Sequence, residues 1–508
     1  MEMNRRNLLK GSVAMGAAGL VASKAAVAAV PAKWDETVDI VVIGSGFAGL
    51  AAAIEAKKAG SNVIVLEKMP TAGGNSIING GILTATGCPQ QKMHHIKDSV
   101  ELLEHDILKA GNYMNDPKKV HEIASHALSN YEWCVNELGV EFLPDAIGQE
   151  GGHSVPRYVT TKNGSGIVLK ELEMVKKLGV PIRLRTYVDH IVRSQENEGP
   201  VLGVVVHEGY RFPKAGSGKQ KAIRARKGVI LCYGGFSADV KFRTFQDPKL
   251  NATLDTTNQP GATSELWRET SAIGCLQVQN DWIQCGPWGN PKEKGMGIGW
   301  EYNQTAAAEY GLWVNQKGKR FVNELANRKV RADAIVAIGH PVVMYACAKN
   351  VFGQAVGKNM SKEMFDSLLK SGVVHEFKTL KDLAAFYKIP YDALVAENDK
   401  FNGYMKAMND PQFHTKFFKD GVPNTEANGP FYAWRLWPRV HHCMGGLEIN
   451  NKAQVLDARH NVIPGLFAAG EVTGGVHGMV RLGTVAVADC MIFGRTAARS
   501  AKAYKQPM

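Results

Sequence analysis

Residues 38 to 67 spell one supersecondary unit that leaves the chain little choice of architecture. Val38 to Ile43 is an apolar run read as a buried strand, and it leads into Gly44-Ser45-Gly46-Phe47-Ala48-Gly49 and an alanine-rich helix through Lys58. Val63 to Leu66 is a second apolar strand, closed by Glu67 and Lys68. Glycines at this spacing are a weak signal alone. Strand, glycines, helix, strand and terminal acid in this order form a dinucleotide-binding fingerprint. Gly44, Gly46 and Gly49 let the backbone, with Phe47 and Ala48, approach a pyrophosphate at a helix N-terminus, and Glu67 can accept hydrogen bonds from ribose hydroxyls. The unit predicts an α/β fold with a Rossmann-like binding domain.

Composition sets the scale. A chain of 508 residues, 45% hydrophobic and 21% charged, has room for two or three domains with sizeable cores. Its net charge of +12 falls to 12 − 3 = +9 without Arg5, Arg6, Lys10, Lys24 and Glu2 of the leader, an excess that suits anionic substrates or an acidic electron-transfer partner. The lysines are scattered and form no basic stripe interleaved with aromatics, which argues against nucleic-acid binding. Asn4-Arg5-Arg6-Asn7-Leu8-Leu9-Lys10, an alanine- and glycine-rich run, and Ala26-Val27-Ala28 fit a twin-arginine export signal over residues 1–28. Lys24 breaks the apolar run, which is too short to span a bilayer. The expectation is a periplasmic protein, exported folded with its cofactor in place and without stable membrane insertion. The eight cysteines form neither a haem-attachment motif nor an iron–sulfur cluster pattern, so any electrons the protein uses arrive from a separate protein or a soluble carrier; a separate periplasmic c-type cytochrome is the expected donor.

The C-terminal part adds polar residues within a glycine-rich frame. It reads His441-His442-Cys443-Met444-Gly445-Gly446, then Pro464 through Gly470-Glu471, then Gly474-Gly475-Val476-His477-Gly478 and Arg481-Leu482-Gly483-Thr484-Val485. With the N-terminal unit, these motifs resemble the FAD-dependent flavoprotein family of fumarate reductase and succinate dehydrogenase, most of all the flavin part of flavocytochrome c fumarate reductases. The resemblance runs from about Val38 to Ala498. It implies FAD as the cofactor, cradled also by Ala72-Gly73-Gly74-Asn75-Ser76, Gly80-Gly81, Gly234-Gly235 at the end of an apolar strand, and His442, Gly470, Glu471, Arg481, Thr484 and Val485. No histidine occupies the segment in which relatives with a covalent flavin carry one, so the FAD is expected to be non-covalent. The resemblance further implies a discontinuous FAD-binding domain, 36–280 and 441–508, with an α+β clamp domain inserted at 281–440; no metal site is expected.

Reducing a carbon–carbon double bond beside a carboxylate needs a hydride at the β-carbon, a proton at the α-carbon, and cations that hold the carboxylate and stabilise enolate-like charge. The resemblance assigns the hydride to flavin N5, the proton to Arg328, at the end of Lys319-Arg320-Phe321-Val322-Asn323-Glu324-Leu325-Ala326-Asn327-Arg328, and the carboxylate to Arg481 and His441. The sequence also departs from fumarate reductases. Their clamp has a Gln-x-His-Pro segment whose histidine contacts the second carboxylate; Gln284-Cys285-Gly286-Pro287-Trp288 has Gly286 in that place. Their Thr-Glu pair has no match around Trp300-Glu301-Tyr302-Asn303-Gln304-Thr305, which leaves Glu301, Glu309 and Glu324 as unranked candidates to feed protons to Arg328. Trp288, Trp300 and Tyr302 are candidates either to wall an apolar pocket or to fill the clamp core. The expectation is a reductase of an acrylate-, methacrylate- or cinnamate-like acid. The alternatives are a fumarate reductase, a flavin dehydrogenase of a saturated acid or ketosteroid-like substrate, and a non-catalytic flavin electron-relay protein.

Overall fold

The computed structural model of the protein describes residues 30–195, 198–303, 308–356 and 360–506. The leader at 1–28 lies outside these residues, as do Gln304, Thr305 and the side chain of Glu301.

The strand Glu36–Ile43 lies inside an eight-stranded sheet, parallel to Val63–Leu66 on one side and to Lys219–Leu231 on the other. Ile182–Arg183 extends the first side, and Val462–Ala468, from near the C-terminus, the second. The antiparallel hairpin of Thr186–Gln195 and Glu198–Glu208 joins the sheet through Lys219–Leu231. A parallel sheet covered on both faces demands unbroken apolar strands, and Ile40, Val41, Val42 and Ile43 are all buried. The helix Phe47–Lys58 buries alanine on nearly every side. It packs against Val485–Ala503, where Gly494 meets the carbonyl of Ala48 so closely that a Cβ would collide with it. This is the α/β, Rossmann-like arrangement that the glycine unit predicts.

A second, mainly antiparallel sheet of six strands runs Ile283–Gly289, Phe431–Cys443, Val342–Cys347, Leu312–Val314, with Val374–Phe377 and Asp255–Thr256 also paired to Phe431–Cys443. Helices Lys362–Lys370, Leu380–Tyr387 and Tyr391–Ala407 belong to the same half. Tyr302 is a core residue here and walls no pocket: it is fully buried, its hydroxyl donates to the carbonyl of Tyr432 at 2.6 Å, and its ring packs on Phe365 and Trp434. The boundary expected at 440 falls within the 13-residue strand Phe431–Cys443, whose first residue pairs with Cys347 and whose last pairs with Ile283. Among the described residues no helix is long and apolar enough to cross a membrane, and all eight cysteines are free.

Candidate active site

A cavity opens at the ends of the parallel strands, with about 940 Å³ of empty space counting its open mouth. Gly44 turns the chain at φ +103° against the carbonyl of Cys232, and Gly49 sits on the carbonyl of Gly44; a Cβ at either would collide with backbone. Gly46 faces open space, with only Ser76 Oγ near, and that hydroxyl accepts the N–H of Phe47 at 2.9 Å. Gly46 has no side chain to cap this helix, and with the Phe47 amide taken by Ser76 the amides of Ala48 and Gly49 remain for an anion. Glu67 lies buried on the wall, accepting from Ser45 Oγ at 2.6 Å and from the N–H of Met69 at 2.9 Å, with lone pairs left for ribose hydroxyls.

Of the expected cofactor residues, Gly44, Gly46, Phe47, Ala48, Glu67, Lys68, Gly74, Asn75, Ser76, Gly234, Gly235 and Glu471 line this cavity. Gly49, Gly73 and Gly470 stand behind the wall: the Gly73 N–H donates to Ser45 Oγ at 3.0 Å, and Gly470 packs on Ala48 and Cys490. Gly80 and Gly81 are off the wall, Gly81 packing against Thr161 and Asn163. Thr484 and Val485 begin the helix Val485–Ala503, with Thr484 Oγ1 2.5 Å from Thr84 Oγ1, and His442 lies beside Glu471 at 3.7 Å; none of the three is on the wall. Sequence reading missed Thr186-Tyr187-Val188, which carry no motif. It also missed Gln259 to Leu266, whose glycine turn before a helix was the available signal. Asn75 fixes that turn by accepting the N–H of Gln259 at 2.9 Å.

The residues expected on the substrate side converge from separate segments. Arg328 is the first residue of the helix Arg328–Ile338, capped by Asn327, whose Oδ1 accepts from the N–H of Val330 at 3.0 Å. Its guanidinium lies 5.2 Å from the Trp288 ring centre, and the Trp288 ring meets His441 edge-on at 4.8 Å and 90°. Both ring residues owe their placement to β-bulges between Ile283–Gly289 and Phe431–Cys443. Gln284 pairs with His442 and Cys285 with Val440, which makes His441 the extra residue. A second slip, between Gly286 and Gly289, contains Pro287 and Trp288. Arg481 donates from Nη2 to Gln284 Oε1 at 3.2 Å, and its buried Nε has no partner among the described residues, an open donor suited to a carboxylate.

The electrostatics follow from this crowding. Burial, with Arg481 and Arg328 nearby, holds His441 well below the usual histidine range, so it is neutral, with Nδ1 2.7 Å from Thr257 Oγ1. Burial lowers Arg481 to about 10, still a cation at neutral pH. Burial and the neighbouring Arg481 and Arg331 press Arg328 down, and the opposing charge is the carboxylate of Glu150, its ion-pair partner. Burial raises Glu471 to about 7 against the N–H of Cys443, which it accepts at 2.9 Å.

The proton-feed candidates change. Glu324 is buried in a bidentate pair with Arg320 at 2.8 and 2.7 Å and is committed to the fold; Glu309 is pushed up to about 7 by burial and by Asp420. Glu150, absent from the expectation, is the acid on Arg328. It belongs to no spaced motif, and the glycine-rich loop around it was the faint signal.

The chain matches the FAD binding domain family across residues 39–487. It is 40% identical over 98% of both chains to the acrylate reductase flavoprotein subunit of Shewanella woodyi. It is 33% identical to a fumarate reductase (cytochrome) of Shewanella frigidimarina over 95% of this chain and 80% of that one. The open conformation of a flavocytochrome c3 fumarate reductase superposes with a TM-score of 0.76 at 29% identity, covering 98% of this chain and 81% of that one. The glycine cradle, its uncapped helix and the buried acid fit FAD, which is the cofactor of an oxidoreductase. On sequence, fold and cradle together, the chain belongs to the fumarate reductase family of FAD-binding flavoproteins.

Proposed function

We propose that the protein reduces the carbon–carbon double bond of an unsaturated monocarboxylic acid of the acrylate, methacrylate or cinnamate kind. The observation that carries this reading is at Gly286. A Cβ there would collide with the Trp288 ring, so the indole occupies the space into which a side chain at this position would project. Where fumarate reductases are expected to hold a second carboxylate with histidine, this chain offers an apolar ring between Arg328 and His441. A second carboxylate desolvated there without a partner is strongly disfavoured. The 40% identity to an acrylate reductase subunit supports the same substrate class.

Bound, non-covalent FAD supplies the hydride chemistry. The residues of the chain do the rest. Arg481 offers its open Nε to the single carboxylate, and neutral His441, steadied through Thr257, adds a hydrogen bond to it. Arg328 gives a proton from its guanidinium to the α-carbon. A guanidinium is an acid of pKa above 12 in water; burial among cations makes its proton easier to give to a carbanion-like centre. Trp288 keeps water from that centre. We place the protein in the periplasm, on the twin-arginine pattern, with electrons delivered by a separate c-type cytochrome.

The test is anaerobic reoxidation of the dithionite-reduced, FAD-loaded protein, followed at the flavin absorbance band as single acids are added. Acrylate, methacrylate or cinnamate should reoxidise it rapidly and fumarate slowly. Fast reoxidation by fumarate would overturn the monocarboxylate reading, and no reoxidation by any enoate would overturn the reductase itself.

A further inference from the structure

Two independent observations place Glu150 at the chemistry. Its carboxylate pairs with the Nη2 of Arg328, and it occupies the notch left by Gly483, where a Cβ would collide with Glu150 Oε2. Gly483 lies two residues from Arg481, so one short segment provides the carboxylate-binding guanidinium and the seat for the acid. The loop beneath is fixed by buried charge. The N–H of His153 donates to the carbonyl of Glu150 at 3.2 Å, and His153 Nε2 is 2.9 Å from the carbonyl of Gly483. The next residue, Ser154, donates its N–H to Asp106 Oδ2 at 2.8 Å, and fully buried Arg157 binds Asp106 at 2.5 Å and Asp98 at 2.8 Å. An acid on such a base is held in place.

Exposure gives the pair a direction. The Arg328 side chain is 13% exposed and that of Glu150 31%, so Glu150 is the member of the pair more open to solvent. We propose that Glu150 is the relay that restores the proton of Arg328 from solvent after each turnover, a role that rests on the reading of Arg328 as the acid. In the substrate step an N–H bond of Arg328 breaks as a C–H bond forms at the α-carbon, which leaves a neutral guanidine. The O–H bond of protonated Glu150 then breaks as the N–H bond is restored, and the carboxylate takes its next proton from water. Guanidine is much the stronger base, so Glu150 conducts the proton without storing it.

The test compares E150Q, E150D and E150A with the wild-type holoenzyme, using acrylate and a reduced viologen dye and recording kcat and KM separately. Glutamine keeps the contact with Arg328 and cannot carry a proton. E150Q should lose about 10²-fold in kcat with little change in KM and with its full FAD absorbance, and E150D should recover part of the loss. The kcat of E150A should rise with added formate, a small acid that can enter the vacated notch. G483A, which pushes the carboxylate from its seat, should reproduce the kcat loss. Wild-type kcat in E150Q, or a loss seen only in KM, would overturn the relay; so would absence of formate rescue in an E150A protein that retains FAD. R328A as active as wild type would overturn the reading of Arg328 itself, and the relay with it.

Discussion

The nucleotide cradle and the proposed substrate pocket are built by opposite means. The cradle is made of backbone: Gly44 against Cys232, Gly49 against Gly44, and the uncapped start of the helix Phe47–Lys58. The pocket is made of long side chains, Arg328, Arg481, His441 and Trp288, sent in from segments far apart in sequence. A site built from backbone tolerates only glycine where the walls touch, and a site built from side chains can change its ligand by changing one of them. The cofactor is accordingly shared with fumarate reductases while the substrate is free to differ.

If the two regions are separable, R328A should lose about 10³-fold in turnover while the flavin band of the purified protein stays intact, since general acid catalysis is worth about 10² to 10⁴. Loss of FAD in this variant would break the separation. R481A should lower kcat/KM for the enoate by about 10²-fold, again with FAD retained, and R481K should restore little, because an ammonium lacks the planar fork. On the other side, G49A should cost about 3 kcal/mol through backbone collision, read as a lower melting temperature together with lost FAD. Retention of both would sink the close-packing account.

The smallest effect lies where the regions meet. Glu471 lines the cavity, and burial raises it to about 7 from an ordinary 4.5. Between those values the folded protein holds a proton that the unfolded chain has released. The resulting stabilisation is full below about pH 4.5 and is lost as the pH rises through 7. His441 and His442, held low, act in the other direction, losing stability as the pH falls below 6.5. The difference in urea midpoint between FAD-stripped wild type and E471Q isolates the carboxyl. It should favour wild type more at pH 5 than at pH 8, by about 2 kcal/mol, and an equal difference at both would show that Glu471 is ionised throughout.

The same contrast explains what could be read in advance. Gly44, Gly46, Gly49 and Glu67 were legible because steric exclusion acts over a few residues and leaves a spacing. The loss of the histidine at Gly286 was legible too, as a gap in an aligned motif. That Trp288 fills the gap was not, since it depends on a register slip around Pro287. Tyr302 and Trp288 look alike in sequence, and only packing sends one to the core and the other to the pocket. Glu150 was hard to read because its partners, Arg328 and Gly483, lie far along the chain and the glycine-rich loop around it does not name them.

The two slips between Ile283–Gly289 and Phe431–Cys443 make this active site tolerant of substitution and intolerant of deletion. The one residue between Val440 and His442 is His441, so a deletion there would remove the slip and the imidazole it presents together. Variation in this lineage should therefore be rich in exchanged residues and poor in changed lengths along these two strands.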